Sequence, residues 1–301
     1  MYDTIIIGGG PAAISAAIYA SRQKISFIAI SKNIGGQMAW SSDIENYPGY
    51  EKISGVELVQ KFEKQLHDYN VNVISEEVAE IRQKGKNFAI ITDKNSYETK
   101  TILIASGKKP RKLGIPGEEK YLKKGVTYCA TCDAPIFAGS DVVVIGGGNS
   151  AMDAALIGEK YASKVIIINV NTELKGEKSL IDTIKNNKKI VVMNSTKTLE
   201  FTGDIFLTGV KVETNKKQSV ISARGAFIEI GYIPSIDFDK LTKKNQWNEI
   251  ILHTEGNMTN CTSVPGIFAA GDVTDVVEKQ IVVAAGEGAK AVLSVFNYLN
   301  R

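Results

Sequence analysis

Short apolar runs alternate along this chain with glycine clusters and alanine-rich stretches. Residues 4–7 form one such run, and Gly8-Gly9-Gly10 breaks it. Residues 14–21 then carry apolar positions at helical spacing, and residues 25–30 are apolar again. An unbroken apolar run of this length suits a strand covered on both faces, so the order strand, glycine loop, helix, strand predicts a parallel βαβ unit. The same order returns later. Residues 141–145 predict a strand, Gly146-Gly147-Gly148 a loop, residues 152–161 a helix and residues 164–168 a second strand. One architecture therefore occurs twice.

Other segments complete the pattern. Residues 102–107 predict a strand ending in a tight turn at Gly107, and residues 267–272 repeat that form. Residues 281–299, rich in Ala and Val at helical spacing, predict a closing helix. Proline with clustered charge at residues 108–112, and Pro234 after Gly231, mark two crossovers where an element should stop. The expected fold class is α/β, with two Rossmann-like three-layer dinucleotide-binding domains, the second inserted into the first. The first would cover residues 1–110 and 234–301, and the second residues 111–233.

A chain of 301 residues is long enough for two such cores. Its 44% hydrophobic and 23% charged content is that of an ordered globular protein. The formal charge of +3, from 36 basic and 33 acidic residues, is mild. With no aromatics interleaved among the lysines, it argues against nucleic acid. Lysine pairs such as Lys108-Lys109 and Lys243-Lys244 are expected on solvated faces. No apolar run reaches membrane-spanning length, and the start shows neither a basic stretch nor a cleavage site. A cytoplasmic protein with no membrane partner is expected.

The chemistry concentrates in three places. Gly8, Gly10 and Ala13 fit the pattern G-x-G-x-x-G/A between a strand and a helix. There glycine lets the backbone approach a pyrophosphate and the helix N-terminus supplies amide donors. Neither repeat ends its second strand in the acid that would grip a nucleotide ribose: Ser31 stands there in the first, Asn169 in the second. Asp272, at a strand end, and Gln280, just before the last helix, suit a sugar-alcohol chain and a group that gains negative charge, or else an ordinary strand end and cap.

The third place is Cys129-Ala-Thr-Cys132, followed by Asp133. Zinc would need two further ligands, and Cys261, His253 and His67 offer no second paired spacing. Two buried core cysteines are a second reading. A redox dithiol is the third, with a thiolate available near neutrality and Asp133 as proton donor or as a turn residue before Pro135.

Taken together these motifs resemble the low-molecular-weight thioredoxin reductases from end to end. The resemblance rests on Gly8-Gly-Gly-Pro-Ala-Ala13, Gly35-Gly-Gln37, Glu45-Asn46-Tyr-Pro-Gly49 and Ala105-Ser-Gly107. Cys129-Ala-Thr-Cys-Asp133, Gly146-Gly-Gly-Asn149, Gly271-Asp-Val273 and Lys279-Gln280 complete it. It implies FAD in the first domain, held by Gly8, Gly10, Pro11, Ala12, Ala13, Ser31, Gly36, Gln37 and Asn46. Val78, Ala105, Gly107, Asp272, Lys279, Gln280 and Ile281 would complete that site. It further implies a homodimer whose second domain swings between two positions. Cys132 would face the flavin, Cys129 would attack the disulfide of thioredoxin, and Asp133 would act as acid.

One departure matters. NADPH-dependent members of that family carry a His-Arg-Arg run after the second strand of the second domain, and a further Arg. Here Asn169-Val170-Asn171 stands in that place, with Lys175 beyond. One lysine does not replace an arginine fork on a phosphate. With the dithiol kept and the clamp lost, the chain looks like the pyridine-nucleotide-independent branch, whose best-known members take electrons from ferredoxin. Two alternatives remain: an NAD(P)H-dependent reductase with atypical nucleotide recognition, and a flavin redox sensor without turnover.

Overall fold

The computed structural model describes residues 1–41 and 44–301. The chain divides into two compact units, Met1–Lys109 with Ile233–Arg301, and Pro110–Tyr232.

Unit 1 starts with β1 (Tyr2–Ile7), α1 (Pro11–Arg22) and β2 (Phe27–Ile30). Then come α2 (Gly55–Asp68), β3 (Val73–Ile74), β4 (Val78–Lys84), β5 (Asn87–Thr92) and β6 (Ser96–Ile104). Its later part holds β17 (His253–Glu255), β18 (Met258–Cys261), β19 (Ile267–Ala269) and α7 (Ile281–Leu299). Among the described residues the sheet order is β17-β18-β19-β6-β1-β2-β3, with β4 and β5 folded back beside β6. β1 lies between β2 and β6, both parallel to it, and its two faces are covered by different layers. Ile6 packs with Ala13 and Ala16 of α1 and Val292 of α7, and Ile5 with Phe88 and Ile90, so both are wholly buried. That double coverage is what an unbroken apolar run requires.

Helix α1 owes its form to Pro11 in its first turn and to small buried residues, Ala12, Ala13, Ala16, Ala17 and Ala20. Small side chains let α7 approach closely: a Cβ on Gly288 would lie 2.0 Å from the Ala12 carbonyl oxygen. Helix α2 is fixed at its start by Ser54 and Glu57, each accepting the other's backbone N–H. Such a box is worth on the order of 1 kcal/mol.

Unit 2 contains α3 (Glu118–Tyr121), β8 (Val126–Thr127), α4 (Ala130–Asp133), β9 (Asp141–Ile145) and α5 (Asn149–Glu159). It continues with β10 (Lys164–Ile168), α6 (Lys178–Asn186), β11 (Ile190–Met193) and β15 (Gly225–Ile228). The order β11-β10-β9-β15-β8 is parallel throughout. An antiparallel sheet, β12 (Thr196–Gly203), β13 (Leu207–Thr214) and β14 (Lys217–Ser222), is added to it.

The crossovers are not the coil that their prolines predict. β7 (Lys108–Pro110) pairs with β16 (Tyr232–Pro234). Pro110 and Pro234 end these strands, where a missing N–H costs no ladder bond. Beyond them Ser235 N–H donates to Gly107 at 2.9 Å, and Arg111 N–H to Gly231 at 2.9 Å. No described helix is long and apolar enough to cross a membrane.

Candidate functional site

In unit 1 the glycine loop is shaped by what presses on it. Gly8 adopts φ +134°, and a Cβ there would lie 2.2 Å from the Ala105 carbonyl oxygen. Gly36, at φ +56°, brings its backbone against Gly10 Cα. Gly10 itself faces open space, with nothing within 4 Å of where its Cβ would be. Above it, α1 has no side-chain cap and no acid in its first turn, so its N-terminal partial charge is not neutralised locally. Ser106 Oγ, beside Gly107, is buried without a hydrogen-bond partner. A bare glycine floor, an uncapped helix start and an orphaned hydroxyl fit a pyrophosphate-bearing cofactor.

Other expected residues join this cluster through hydrogen bonds. Gln37 Nε2 donates to the Lys108 carbonyl at 2.9 Å, and Asn46 Nδ2 to Gln280 Oε1 at 3.1 Å. Gln280 is the N-cap of α7, and Ile281 begins that helix and packs near Met38. Asp272 lies in the helical turn Gly271–Val273. Burial pushes its carboxyl up, while the charges of Lys279 and Lys108 pull it down. Ser31 Oγ is already engaged with the Asn33 carbonyl at 2.7 Å. Val78 departs from the cluster: its side chain is buried in the core with Ile5, Ile30 and Ile81.

Sequence reading missed Glu249. Lys108 Nζ and Lys279 Nζ both meet its Oε1, at 2.9 and 3.3 Å. Lys108 is thus no solvated-face lysine; its side chain is 18% exposed. Partners 141 residues apart left no local signal.

Unit 2 repeats the loop contact for contact. Gly146 meets the Glu229 carbonyl as Gly8 meets Ala105. Gly147 meets the Asn169 side chain as Gly9 meets Ser31 Oγ. Gly147 carbonyl accepts from Lys175 N–H at 2.8 Å, as Gly9 carbonyl does from Gly35 at 2.7 Å. Asn169 is 1% exposed. Its Nδ2 donates to the Glu173 carbonyl and to Asn194 Oδ1, each at 2.8 Å, and its Oδ1 accepts from Asn171 N–H at 3.1 Å. Val170 follows with its side chain in solvent. Carboxylates gather at this loop. Burial and Asp153 push Glu229 up to about 8, and partial burial with Glu177 raises Asp153.

The cysteine pair is also in unit 2. Cys129 and Cys132 form a disulfide with Cα atoms 5.4 Å apart. Cys129 is the N-cap of α4, and its Sγ accepts from Cys132 N–H at 3.2 Å. Cys132 is the more exposed of the two. Thr127 Oγ1 donates to Asp133 Oδ2 and accepts from Cys129 N–H at 3.1 Å, which ties the acid to the dithiol turn. Next to the pair, Tyr128 donates to Glu118, a buried carboxylate that also accepts from Leu113 and Gly114 N–H. Cys261 is free and buried on β18 of unit 1. Among the described residues no group of three or more His, Cys, Asp or Glu is arranged to hold a metal.

Comparison with known proteins gives the chain a family. The family model described as pyridine nucleotide-disulphide oxidoreductase matches residues 2–288. A component of the alkyl hydroperoxide reductase of Staphylococcus epidermidis is 35% identical over 305 aligned positions, covering 100% of this chain and 59% of that protein. A protein named NADH dehydrogenase, from Ferdinandcohnia aciditolerans, is 34% identical, covering 100% of this chain and 58% of its own length. This chain thus spans somewhat under two thirds of these curated relatives. The crystal structure of Lactococcus lactis thioredoxin reductase superposes with a TM-score of 0.89 at 34% identity, covering 100% of this chain and 99% of that one. Proteins of this kind bind FAD, the cofactor that the unit 1 loop fits. By its sequence match over nearly all its length, and by the doubled dinucleotide fold beneath it, the chain belongs to the pyridine nucleotide-disulphide oxidoreductase family.

Proposed function

We propose that this flavoenzyme reduces the disulfide of thioredoxin through Cys129 and Cys132, as a cytoplasmic homodimer supplied by reduced ferredoxin. The observation that carries the reading is the Cys129–Cys132 disulfide, set at the start of α4 with Asp133 tied to it through Thr127. FAD, when bound, supplies two electrons to that disulfide. In unit 1 the N-terminus of α1 and Gly10 would take the pyrophosphate, Gln37, Asn46 and Gln280 would hold the cofactor, and Asp272 would accept from its sugar-alcohol chain. In unit 2 two electrons and two protons open the disulfide to two thiols. Cys129, whose Sγ accepts from Cys132 N–H, is the attacking thiol in this reading. It attacks one sulfur of the substrate disulfide, and Asp133 supplies the proton for the departing thiolate. Cys132 then attacks Cys129, releases the substrate as a dithiol and restores the disulfide.

The donor assignment draws on Asn169. A carboxylate or guanidinium that could grip a nucleotide ribose or phosphate is replaced by an amide already committed to Glu173, Asn194 and Asn171. Ferredoxins are acidic, and a chain of formal charge +3 does not repel them. The relative named NADH dehydrogenase favours a second reading in which NADH is the donor. Anaerobic bleaching of the flavin by each donor, followed by a coupled thioredoxin assay, tests both. Fast reduction by ferredoxin with slow reduction by NADH and NADPH is expected. Saturable reduction by micromolar nucleotide would transfer the donor role and leave the disulfide chemistry intact.

A further inference from the structure

Two lysines converge on one carboxylate among the residues assigned to the flavin. Lys108 Nζ and Lys279 Nζ reach Glu249 Oε1 at 2.9 and 3.3 Å, and the side chains are 18%, 24% and 12% exposed in that order. Glu249 Oε2 is held by Asn245 Nδ2 at 2.8 Å, and Lys279 Nζ also donates to the Thr274 carbonyl. The group is tied at both ends to residues of the proposed cradle: the Lys108 carbonyl accepts from Gln37, and Lys279 precedes Gln280, which accepts from Asn46.

A structural ion pair needs one cation for one anion. Here two half-buried cations share one carboxylate as ion-pair partner, and their charges also act on a second carboxylate, Asp272. We propose that the Lys108–Glu249–Lys279 clamp fixes two lysines and a carboxylate beside the flavin and that these fixed charges set its electron affinity, with Glu249 as the positioning residue. This rests on the reading that Gln37, Asn46, Asp272 and Gln280 hold FAD. Uptake of two electrons and one proton leaves a flavin with one more negative charge, so a fixed cation favours the reduced form and a fixed anion opposes it.

The signs give the test. Holoenzymes carrying Glu249→Gln, Lys108→Gln or Lys279→Gln are equilibrated anaerobically with a reference dye, and the oxidised-to-reduced flavin ratio is read from visible absorbance. Removing the carboxylate should shift the ratio toward reduced flavin at least about threefold. Removing either lysine should shift it at least about threefold toward oxidised, near 15 mV for a two-electron couple. A merely structural clamp predicts no shift, or the same sign in all variants, and either result overturns the proposal. If a lysine variant does not fold, the sign in Glu249→Gln still decides. Flavin retained after gel filtration of Asp272→Ala separates the premises: loss of flavin there, with no shift in the clamp variants, defeats the clamp alone. Full retention in Asp272→Ala removes the flavin-site reading and the clamp with it.

Discussion

Asn169 Oδ1 lies 2.3 Å from the position a Cβ on Gly147 would take, so the amide of one residue fills the space that the other leaves bare. The contact makes Asn169 part of the loop's architecture. Its two N–H groups meet two acceptors, and its oxygen meets a backbone donor. In unit 1, Ser31 does the same for Gly9 with a smaller hydroxyl.

Asn169→Asp should therefore be harmful although it restores the acid a ribose would want. A carboxylate would set lone pairs against the Glu173 carbonyl and Asn194 Oδ1, in a site 1% exposed. The expected cost is about 2–4 kcal/mol, from one buried charge and two lost donors. Thermal unfolding should fall while flavin content holds, because the proposed flavin site lies in unit 1. Reduction by NADH should stay slow. A variant as stable as the parent that gained NADH reduction would show that Asn169 alone bars the nucleotide.

The parallel elements around both loops were legible because each apolar run is buried on both faces and the first strand of each repeat runs straight into glycine. β9 and β10 have the bounds their apolar patterns suggest. The sheet β12–β14 was not legible, since in β14 Val220 faces solvent and only Ile221 packs on the core, among Lys, Gln and Ser, which leaves no clean alternation. The site divides in the same way. Gly8, Gly10, Gln37, Asn46 and the cysteines stand in contiguous motifs. Glu249 and the Asn194 partner of Asn169 act only through chain folding, and no local pattern marks them.

Gly8 and Gly10 should separate folding from cofactor binding. Gly8→Ala would combine φ +134° with a Cβ 2.2 Å from the Ala105 carbonyl oxygen. It should cost at least about 2 kcal/mol and lose flavin. Gly10 has an ordinary φ of −81° and open space around it. Gly10→Ala should leave the apoprotein's unfolding temperature within experimental error and still weaken FAD retention at least about tenfold, because only the cofactor would meet the added methyl. Unchanged retention would place the pyrophosphate elsewhere.

The two cysteines should behave unequally. Cys132→Ser leaves Cys129 at the N-cap of α4, free to trap thioredoxin as a stable mixed disulfide. Cys129→Ser leaves Cys132, which should trap nothing. Either change should abolish turnover, since two electrons cannot be stored on one thiol. Asp133→Asn keeps the bond from Thr127 but not the proton, so turnover should fall about 10- to 100-fold with the disulfide still formed. Trapping only in Cys129→Ser would reverse the assignment.

Glu229 sets a pH dependence on stability. Burial and the Asp153 carboxylate push its carboxyl from the ordinary 4.5 up to about 8. Asp153 is itself raised, with Glu177 as its charged neighbour, and Tyr232 is pushed up to about 12 by burial and Glu229. The folded chain therefore keeps a proton on Glu229 that the unfolded chain releases near 4.5. Its contribution to stability is full below that value and is lost as pH rises through about 8. Glu229→Gln is neutral at every pH and should remove the loss. Near pH 5 parent and variant should unfold at similar temperatures, and near pH 9 the variant should be more stable by at least about 1 kcal/mol, allowing for partial solvent screening. Thermal unfolding of both proteins across that range measures it. A constant gap would mean that Glu229 titrates normally, with the acids at the Gly146 loop solvated in the folded chain.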